Sequence, residues 1–154
     1  MEIKFKPIGI IHSPFKKIED IQTEKFAKPD GFDSVEGELE IFKEYEEGLK
    51  DTEGFSHLII LFAFHKSEGY RLHTKPFLDT TLRGLFSTRS AHRPNPIGMT
   101  AVNVIERKGN ILRVRGIDMI EGTPILDIKP YTPRDQKSPI KIGWLEDKME
   151  KVKS

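Results

Sequence analysis

The densest group of chemically capable side chains lies in Thr88-Arg89-Ser90-Ala91-His92-Arg93-Pro94-Asn95-Pro96-Ile97-Gly98. Two prolines and a glycine there fix the backbone around two arginines, a histidine and an asparagine. An ordinary turn does not need this much polarity. Proline reduces the entropy lost when a loop orders, so such a segment can hold donors in place for a substrate anion. Arginine offers a planar fork for carboxylate or phosphate, and histidine exchanges a proton near neutrality. The competing reading is a solvated, proline-rich turn.

A second group is Asp118-Met119-Ile120-Glu121-Gly122-Thr123-Pro124-Ile125-Leu126-Asp127-Ile128-Lys129-Pro130-Tyr131. It sets two acids at a turn between strands, then Asp127, Lys129 and Tyr131 at alternate positions, which an extended chain sends to one face. Alternatively, Asp127 and Lys129 are a surface ion pair with Tyr131 packed on their stems. The remaining histidines, His12, His57, His65 and His73, show no H-x-H or H-E-x-x-H spacing, so no metal site is expected. His57 opens an apolar run and reads as a structural, hydrogen-bonded histidine. His65 closes the same run, where strand ends of a closed sheet open onto ligand-bearing loops.

Other chemistries are excluded by type. The chain has no cysteine, which removes disulfides, thiolate zinc and a thiol nucleophile together. Neither a glycine-rich dinucleotide fingerprint nor a P-loop occurs. Lysine plus arginine (25) nearly balances aspartate plus glutamate (24), unlike a protein that coats nucleic acid. Distribution says more: acids concentrate between Asp33 and Glu53, while Arg71, Lys75, Arg83, Arg89 and Arg93 face only Asp79 in their segment. One local basic surface follows.

The elements that must position these groups are short strands. Lys6 to Pro14 reads as a first strand closed by a proline turn. Val35 to Phe42 alternates apolar or small with acidic residues, the mark of a strand with one wet face. Between them Lys16 to Asp33 forms a long loop, and Lys43 to Lys50 a short helical turn. Leu58 to Phe64 is an unbroken apolar run, read as a strand buried on both faces and the centre of the core. After a looping Lys66 to Arg83, strand character resumes at Gly84 to Thr88. Ile97 to Glu106 and Ile111 to Ile117 flank Lys108-Gly109-Asn110 as a hairpin. A last strand spans Pro124 to Ile128, and Trp144 to Lys151 holds an amphipathic helical turn or two. Short, closely spaced strands, few helices and ten prolines favour a small, mainly β, antiparallel barrel. At 154 residues it forms a single domain, 1–154, with a charged tail from 146 that frays. No apolar run approaches membrane-spanning length and the start lacks a signal-peptide core, so a cytoplasmic location without membrane contact is expected.

R-S-A-H-R-P-N-P-I-G together with E-G-T-P-I-L-D-I-K-P-Y resembles the TrmO family, also called TsaA-like or VirR-like. The resemblance begins at Ile8-Gly9-Ile10-Ile11-His12-Ser13-Pro14, continues through Gly54-Phe55-Ser56-His57-Leu58 and Leu61 to His65, and ends at Tyr131. It implies a non-Rossmann β-barrel methyltransferase that binds S-adenosylmethionine, acts as a homodimer and methylates the exocyclic nitrogen of threonylcarbamoyladenosine beside the tRNA anticodon. Matched by motif, cofactor contacts fall on Lys25, Phe26 and Ala27, on His65 and Lys66, and on Arg89, Met99, Asp118, Met119, Ile120 and Glu121. The chain departs from the family pattern at Ala91, where proline is common, and at Glu121, where aspartate is common. A small C-terminal domain that many bacterial relatives carry does not appear in this sequence.

Methyl transfer to a ureido nitrogen needs a base for its proton. Asp127 and His92 are the candidates, with Tyr131 third. Arg93, supported by Lys129, suits the substrate carboxylate, and Asn95 the ureido oxygen. Three rival readings are a non-enzymatic RNA-binding barrel, with Phe26 or Tyr131 stacked on bases, a hydrolase or lyase pairing His92 with Asp118 or Asp127, and a related methyltransferase with another acceptor, since a barrel can change substrate through its loops.

Overall fold

The computed structural model describes residues 1–77 and 79–149, the side chains of Glu24 and Phe26 excepted. Among the described residues eight strands form: β1 Gly9–His12, β2 Glu36–Ile41, β3 His57–Ala63, β4 His73–Thr74, β5 Arg83–Gly84, β6 Ile97–Lys108, β7 Ile111–Arg115 and β8 Pro124–Pro130. Six of them close into an antiparallel barrel in the order β1-β2-β7-β6-β3-β8, with β8 returning to β1 through Gly9↔Ile125. The remaining pair, β4 and β5, forms a separate two-stranded ribbon. Helical structure among the described residues is confined to 3-10 turns, such as Glu24–Ala27 and Lys43–Leu49.

Alternation builds the wall. β3 alternates partly covered and buried positions, so Leu58, Ile60 and Phe62 face inward while His57, Ile59, Leu61 and Ala63 face out. The expectation that this run is buried on both faces is therefore corrected. Its outer side is a barrel exterior, and an apolar run does not reveal which of its faces meets solvent. Each wall strand sends side chains to the centre: Ile11, Leu39, Ile41, Val102, Leu112, Val114 and Ile125 are all buried. Ile117 and Met119 close one end of this core and Leu49 joins it from Lys43–Leu49.

Three sequence expectations shift in detail. Gly84 to Thr88 is not a strand: only Arg83–Gly84 pairs, with His73–Thr74 inside the expected loop, and Leu85–Ser87 turns as a 3-10 helix that buries Leu85. The last strand runs on to Pro130 because β3 offers it partners as far as Leu58. The C-terminal helical turn is Gly143–Asp147, anchored where Trp144 Nε1 donates to the Ser87 carbonyl at 2.9 Å. Residues 150–154 of the expected fraying tail, and the side chain of Phe26, lie outside the described residues.

Gly98 lets β6 begin where it does. A Cβ there would stand 2.3 Å from the Phe62 ring and 2.8 Å from that of Phe64, two rings packed edge to face at 5.2 Å. Displacing buried Phe62 is costly because the interior is close-packed. Gly98→Ala is expected to lower unfolding free energy by about 1–3 kcal/mol in denaturant titration. Gly48→Ala, which meets open space, should change it by less than about 0.5 kcal/mol.

Candidate active site

Strand direction decides which loops meet. β1, β3 and β7 end at the same rim at which β2, β6 and β8 begin, because all neighbours are antiparallel. The connections 13–35, 64–96 and 116–123 therefore emerge together, and these are the segments holding most of the sequence-predicted site residues. The opposite rim carries 42–56 and the Gly109-Asn110 turn. A cleft of about 580 Å³ lies there among Tyr45, Leu49, Phe55 and Ile128, and of the predicted residues only Asp127 lines it.

At the loop rim, Gly116 turns with φ +109, and the chain then runs beside the first half of β6. Asp118 thereby meets Thr100, whose Oγ1 donates to Asp118 Oδ2 at 3.2 Å. Asp118 Oδ1 is sealed from solvent and has no hydrogen-bond partner. Burial pushes this carboxyl up to about 6, against the Thr100 hydrogen bond, a backbone hydrogen bond and the positive charge of Arg89. A dry carboxylate oxygen facing no donor fits a ligand that brings one. Met119 and Ile120 are buried, Met119 in the barrel core and Ile120 beside Ile21 and Phe32, so they offer a ligand only main chain. Glu121 turns its carboxylate to His12 Nδ1 at 2.9 Å and to the Ser13 amide at 3.1 Å.

The arginine loop is tied to itself. Arg93 Nη1 donates to the carbonyls of Thr88 (3.0 Å) and Ser90 (2.9 Å), and its guanidinium lies 6.0 Å from the Phe86 ring centre. Ser67 Oγ donates to the Ala91 carbonyl at 3.1 Å and stands 2.7 Å from His92 Nδ1. With the hydroxyl proton on Ala91, His92 Nδ1 is the donor in that contact, which leaves Nε2 as a bare acceptor on an exposed ring. Asn95 and Arg89 are exposed, as are His65 and Lys66 just beyond β3. Lys25 and Ala27 sit on the 3-10 turn Glu24–Ala27, with Lys25 N capped by Thr23 Oγ1 at 3.4 Å.

Three predicted residues lie on the wall rather than in the loops. Met99 and Asp127 flank Leu61 across β6, β3 and β8, with Met99 exposed on the outer surface. Asp127 binds Lys129 Nζ at 2.9 Å and accepts from the Ile128 amide at 2.9 Å, the surface ion pair of the simpler reading. Tyr131 follows β8 at the far rim, its ring 6.1 Å from that of His57, whose Nδ1 contacts Ser56 Oγ at 2.8 Å. One chain thus gathers His92, Arg93, Asn95, Arg89, His65, Lys66 and the 118–121 turn onto one rim, with Lys129 and Tyr131 away from it. Sequence reasoning missed Thr100, Ser67, Ser13 and His12 as parts of this rim, and Glu40, which reaches His12 from farther along β2. The Ile-His-Ser-Pro motif carried a signal for two of them, being polar at the end of an apolar strand.

The family model described as the tRNA-methyltransferase O N-terminal domain matches residues 10–136. A probable S-adenosyl-L-methionine-binding protein of Pyrococcus abyssi is 47% identical over 97% of this chain and 80% of its own length. The tRNA (adenine(37)-N6)-methyltransferase of Escherichia coli is 38% identical over 88% of this chain, which spans 60% of that enzyme. A crystal structure of TrmO from Pseudomonas aeruginosa superimposes with TM-score 0.74 at 33% identity, over 93% of this chain and 62% of that one. Sequence and fold agree, and this chain belongs to the TrmO family.

Proposed function

We propose that this protein binds S-adenosylmethionine at the loop rim and methylates the exocyclic nitrogen of adenosine 37 in tRNA, in its threonylcarbamoyl form. The observation that carries this reading is the sealed, unpartnered Asp118 Oδ1 beside Thr100 and Arg89, where the three motif-bearing loops converge. Bound S-adenosylmethionine supplies an electrophilic methyl group on a cationic sulfur, together with ammonium and hydroxyl donors. Asp118 Oδ1 accepts from one of those donors, and the main chain of Met119 and Ile120 lines the same turn. His65, Lys66, Arg89, Met99 and the Lys25 to Ala27 turn complete the pocket on the family pattern, with Glu121 acting through the shape of its turn.

His92 is the preferred base. Its Nδ1 is held by Ser67, so Nε2 is free to take the proton that the acceptor nitrogen must lose. Asp127 is the second choice, because its carboxylate is already engaged by Lys129 and the Ile128 amide. Tyr131 and Lys129 would serve only if a second copy brought them to the rim. Arg93 retains donors beyond those spent on its own loop, enough for a bidentate carboxylate, with Asn95 beside it for the ureido oxygen.

Two surfaces support the partners. On the β4–β5 ribbon and its flanks Asp79 is sealed by Arg83 at 2.9 Å and Lys148 at 3.5 Å, so Arg71 and Lys75 stand exposed with no ion pair among the described residues, open to a phosphate backbone. On the barrel exterior Ile97 and Met99 are exposed beside Ile59, Leu61 and Ala63, an apolar wall suited to a second copy. Among the described residues no helix is long and apolar enough to cross a membrane. A cytoplasmic site of action suits a tRNA substrate.

Methylation of tRNA from cells with and without the threonylcarbamoyl group, followed by nucleoside mass, tests the acceptor. Product is expected only on the modified tRNA, and equal product on both would remove that specificity. His92→Ala should lower single-turnover rate by about 10²–10⁴-fold with little change in cofactor affinity. An unchanged rate would hand the role to another group. Asp118 titrates higher folded than unfolded, so its ionisation costs stability as pH rises from 3.8 through about 6 and by a constant amount above. Asp118→Asn at pH 8 should therefore raise the unfolding free energy of the ligand-free protein by about 1–3 kcal/mol. The same change should weaken S-adenosylmethionine binding at least tenfold by calorimetry, and wild-type affinity in the variant would exclude Asp118 from the site.

A further inference from the structure

The turn that carries Asp118 closes on itself only at its far end, where Thr123 Oγ1 donates to the Ile120 carbonyl at 2.7 Å, and the end of β1 fastens the rest. Ser13, a buried residue, donates its hydroxyl to the Met119 carbonyl at 2.6 Å and accepts from the Phe15 amide at 3.0 Å. Glu121 N donates to the Phe15 carbonyl at 2.7 Å and Gly122 N to that of Ile11 at 2.9 Å. On the outside of the turn, His12 stands between two carboxylates, with Nδ1 at 2.9 Å from Glu121 Oε2 and Nε2 at 3.1 Å from Glu40 Oε1. An imidazole donates from both nitrogens only as the cation; neutral, it serves one carboxylate and turns a bare lone pair toward the other.

We propose that Ser13 and the Glu40–His12–Glu121 bridge are positioning residues that fasten the 118–122 turn to β1 and β2, so that ligand affinity at Asp118 follows the charge of His12. This rests on the reading of the 118–121 turn as the cofactor site. Ser13 fixes the depth of the turn from inside the rim, through a main-chain atom next to Asp118. The bridge fixes it from outside, tying the turn to a strand two positions away in the barrel wall.

The charges around the bridge set its pH window. Glu38 lies directly across β2 from His12, Arg113 lies across β7 from Glu38, and Lys16 acts on Glu121. The hydrogen bond to Glu40 raises His12 above its ordinary 6.5, with burial opposing and Glu121 adding to the rise. Burial works to raise Glu121, and the hydrogen bonds from His12 and the Ser13 amide outweigh it, leaving the group below its ordinary 4.5. A raised histidine contributes fully below its unfolded pKa and ceases to as pH climbs through the folded value; a lowered carboxylate does the reverse. The His12–Glu121 arm is therefore charged on both sides from below pH 4.5 to above 6.5, and the bridge opens on the alkaline side when His12 loses its proton.

The test compares the full chain with His12→Gln, His12→Arg and Ser13→Ala, using S-adenosylmethionine as probe and two readouts. Hydrogen exchange reads the Glu121 and Gly122 amides without ligand: exchange should quicken in His12→Gln and Ser13→Ala, and stay near wild type in His12→Arg, which keeps a cation with several donors. Calorimetry from pH 6 to 9 reads affinity: His12→Gln should bind about tenfold more weakly at pH 6, the loss expected for one charged hydrogen bond. The ligand's own amino group also titrates near 8 and does so for every variant, so the diagnostic quantity is the ratio of wild-type to His12→Arg affinity. That ratio should fall as pH rises past the His12 transition. Amide exchange unchanged in His12→Gln, or a pH-independent ratio with His12→Gln binding as wild type does, would overturn the proposal. Quickened exchange with no binding by the wild type would instead overturn the cofactor reading and leave the fastening itself established.

Discussion

Barrel closure constrains everything else in this molecule. When six antiparallel strands close in the order β1-β2-β7-β6-β3-β8, chain direction alternates all the way round, and the connections 13–35, 64–96 and 116–123 have to leave by one rim. That arrangement needs no contact between the loops to create it; backbone hydrogen bonds and the inward face of each strand suffice. It also explains how residues as far apart in sequence as Ser13, His92 and Asp118 come to share a rim. The opposite rim, closed by the Gly109-Asn110 turn and the 3-10 segments from Lys43 to Gly54, holds a cleft of about 580 Å³ but few polar side chains of the two signature motifs. Volume alone is a poor guide when the polar groups that would orient a ligand stand at the other end.

Within the loop rim, two acids three residues apart are held in contrasting electrostatic states. Asp118 is pushed up by burial with one oxygen unpartnered, whereas Glu121 is held down by His12 and the Ser13 amide. The difference follows from where each points. Asp118 faces the dry end of the barrel, where only Thr100 reaches it; Glu121 faces outward, where a histidine and a backbone amide are within hydrogen-bond range. The acid with unmet hydrogen-bonding capacity is the one suited to a ligand, and the satisfied acid is suited to holding the turn. Separation of tasks between neighbouring carboxylates is a general way for one short turn to be both rigid and receptive.

How much of this was legible in the residues depended on period and reach. Val35 to Phe42 and the hairpin around Gly109 were readable because a wet outer face alternates with a dry inner one, and the turn needs positive φ at glycine. Leu58 to Phe64 misled because its outer residues are apolar too, so the alternation that exists in the fold is invisible in the letters. Gly84 to Thr88 misled for a different reason. Leu85 is buried through a 3-10 turn that the 3.6 and 2.0 periods do not describe. The arginine loop and the Asp118 turn were legible as chemistry from residue type alone. Their fastenings were not: Ser67, Thr100, His12 and Glu40 are unremarkable letters until strand register brings them to 2.7–3.2 Å of a functional group.

The arginine loop shows why a segment dense in polar groups can still present few of them. Arg93 spends one nitrogen on the carbonyls of Thr88 and Ser90, Ser67 spends its hydroxyl on Ala91, and Thr88 caps the turn below through Leu85. Prolines at 94 and 96 remove amide donors that would otherwise need partners and narrow the unfolded ensemble. What remains for a ligand is small in number and fixed in place: the outer nitrogen of His92, the unspent edge of Arg93, the side chain of Asn95, and Arg89 acting on Asp118. A loop that met its own hydrogen-bonding needs less completely would offer more donors, but each would have to be ordered when the ligand arrived, and that entropy would be lost from binding. Self-satisfaction of the loop and reactivity at its surface are therefore two aspects of one arrangement, with the barrel rim as the fixed reference for both.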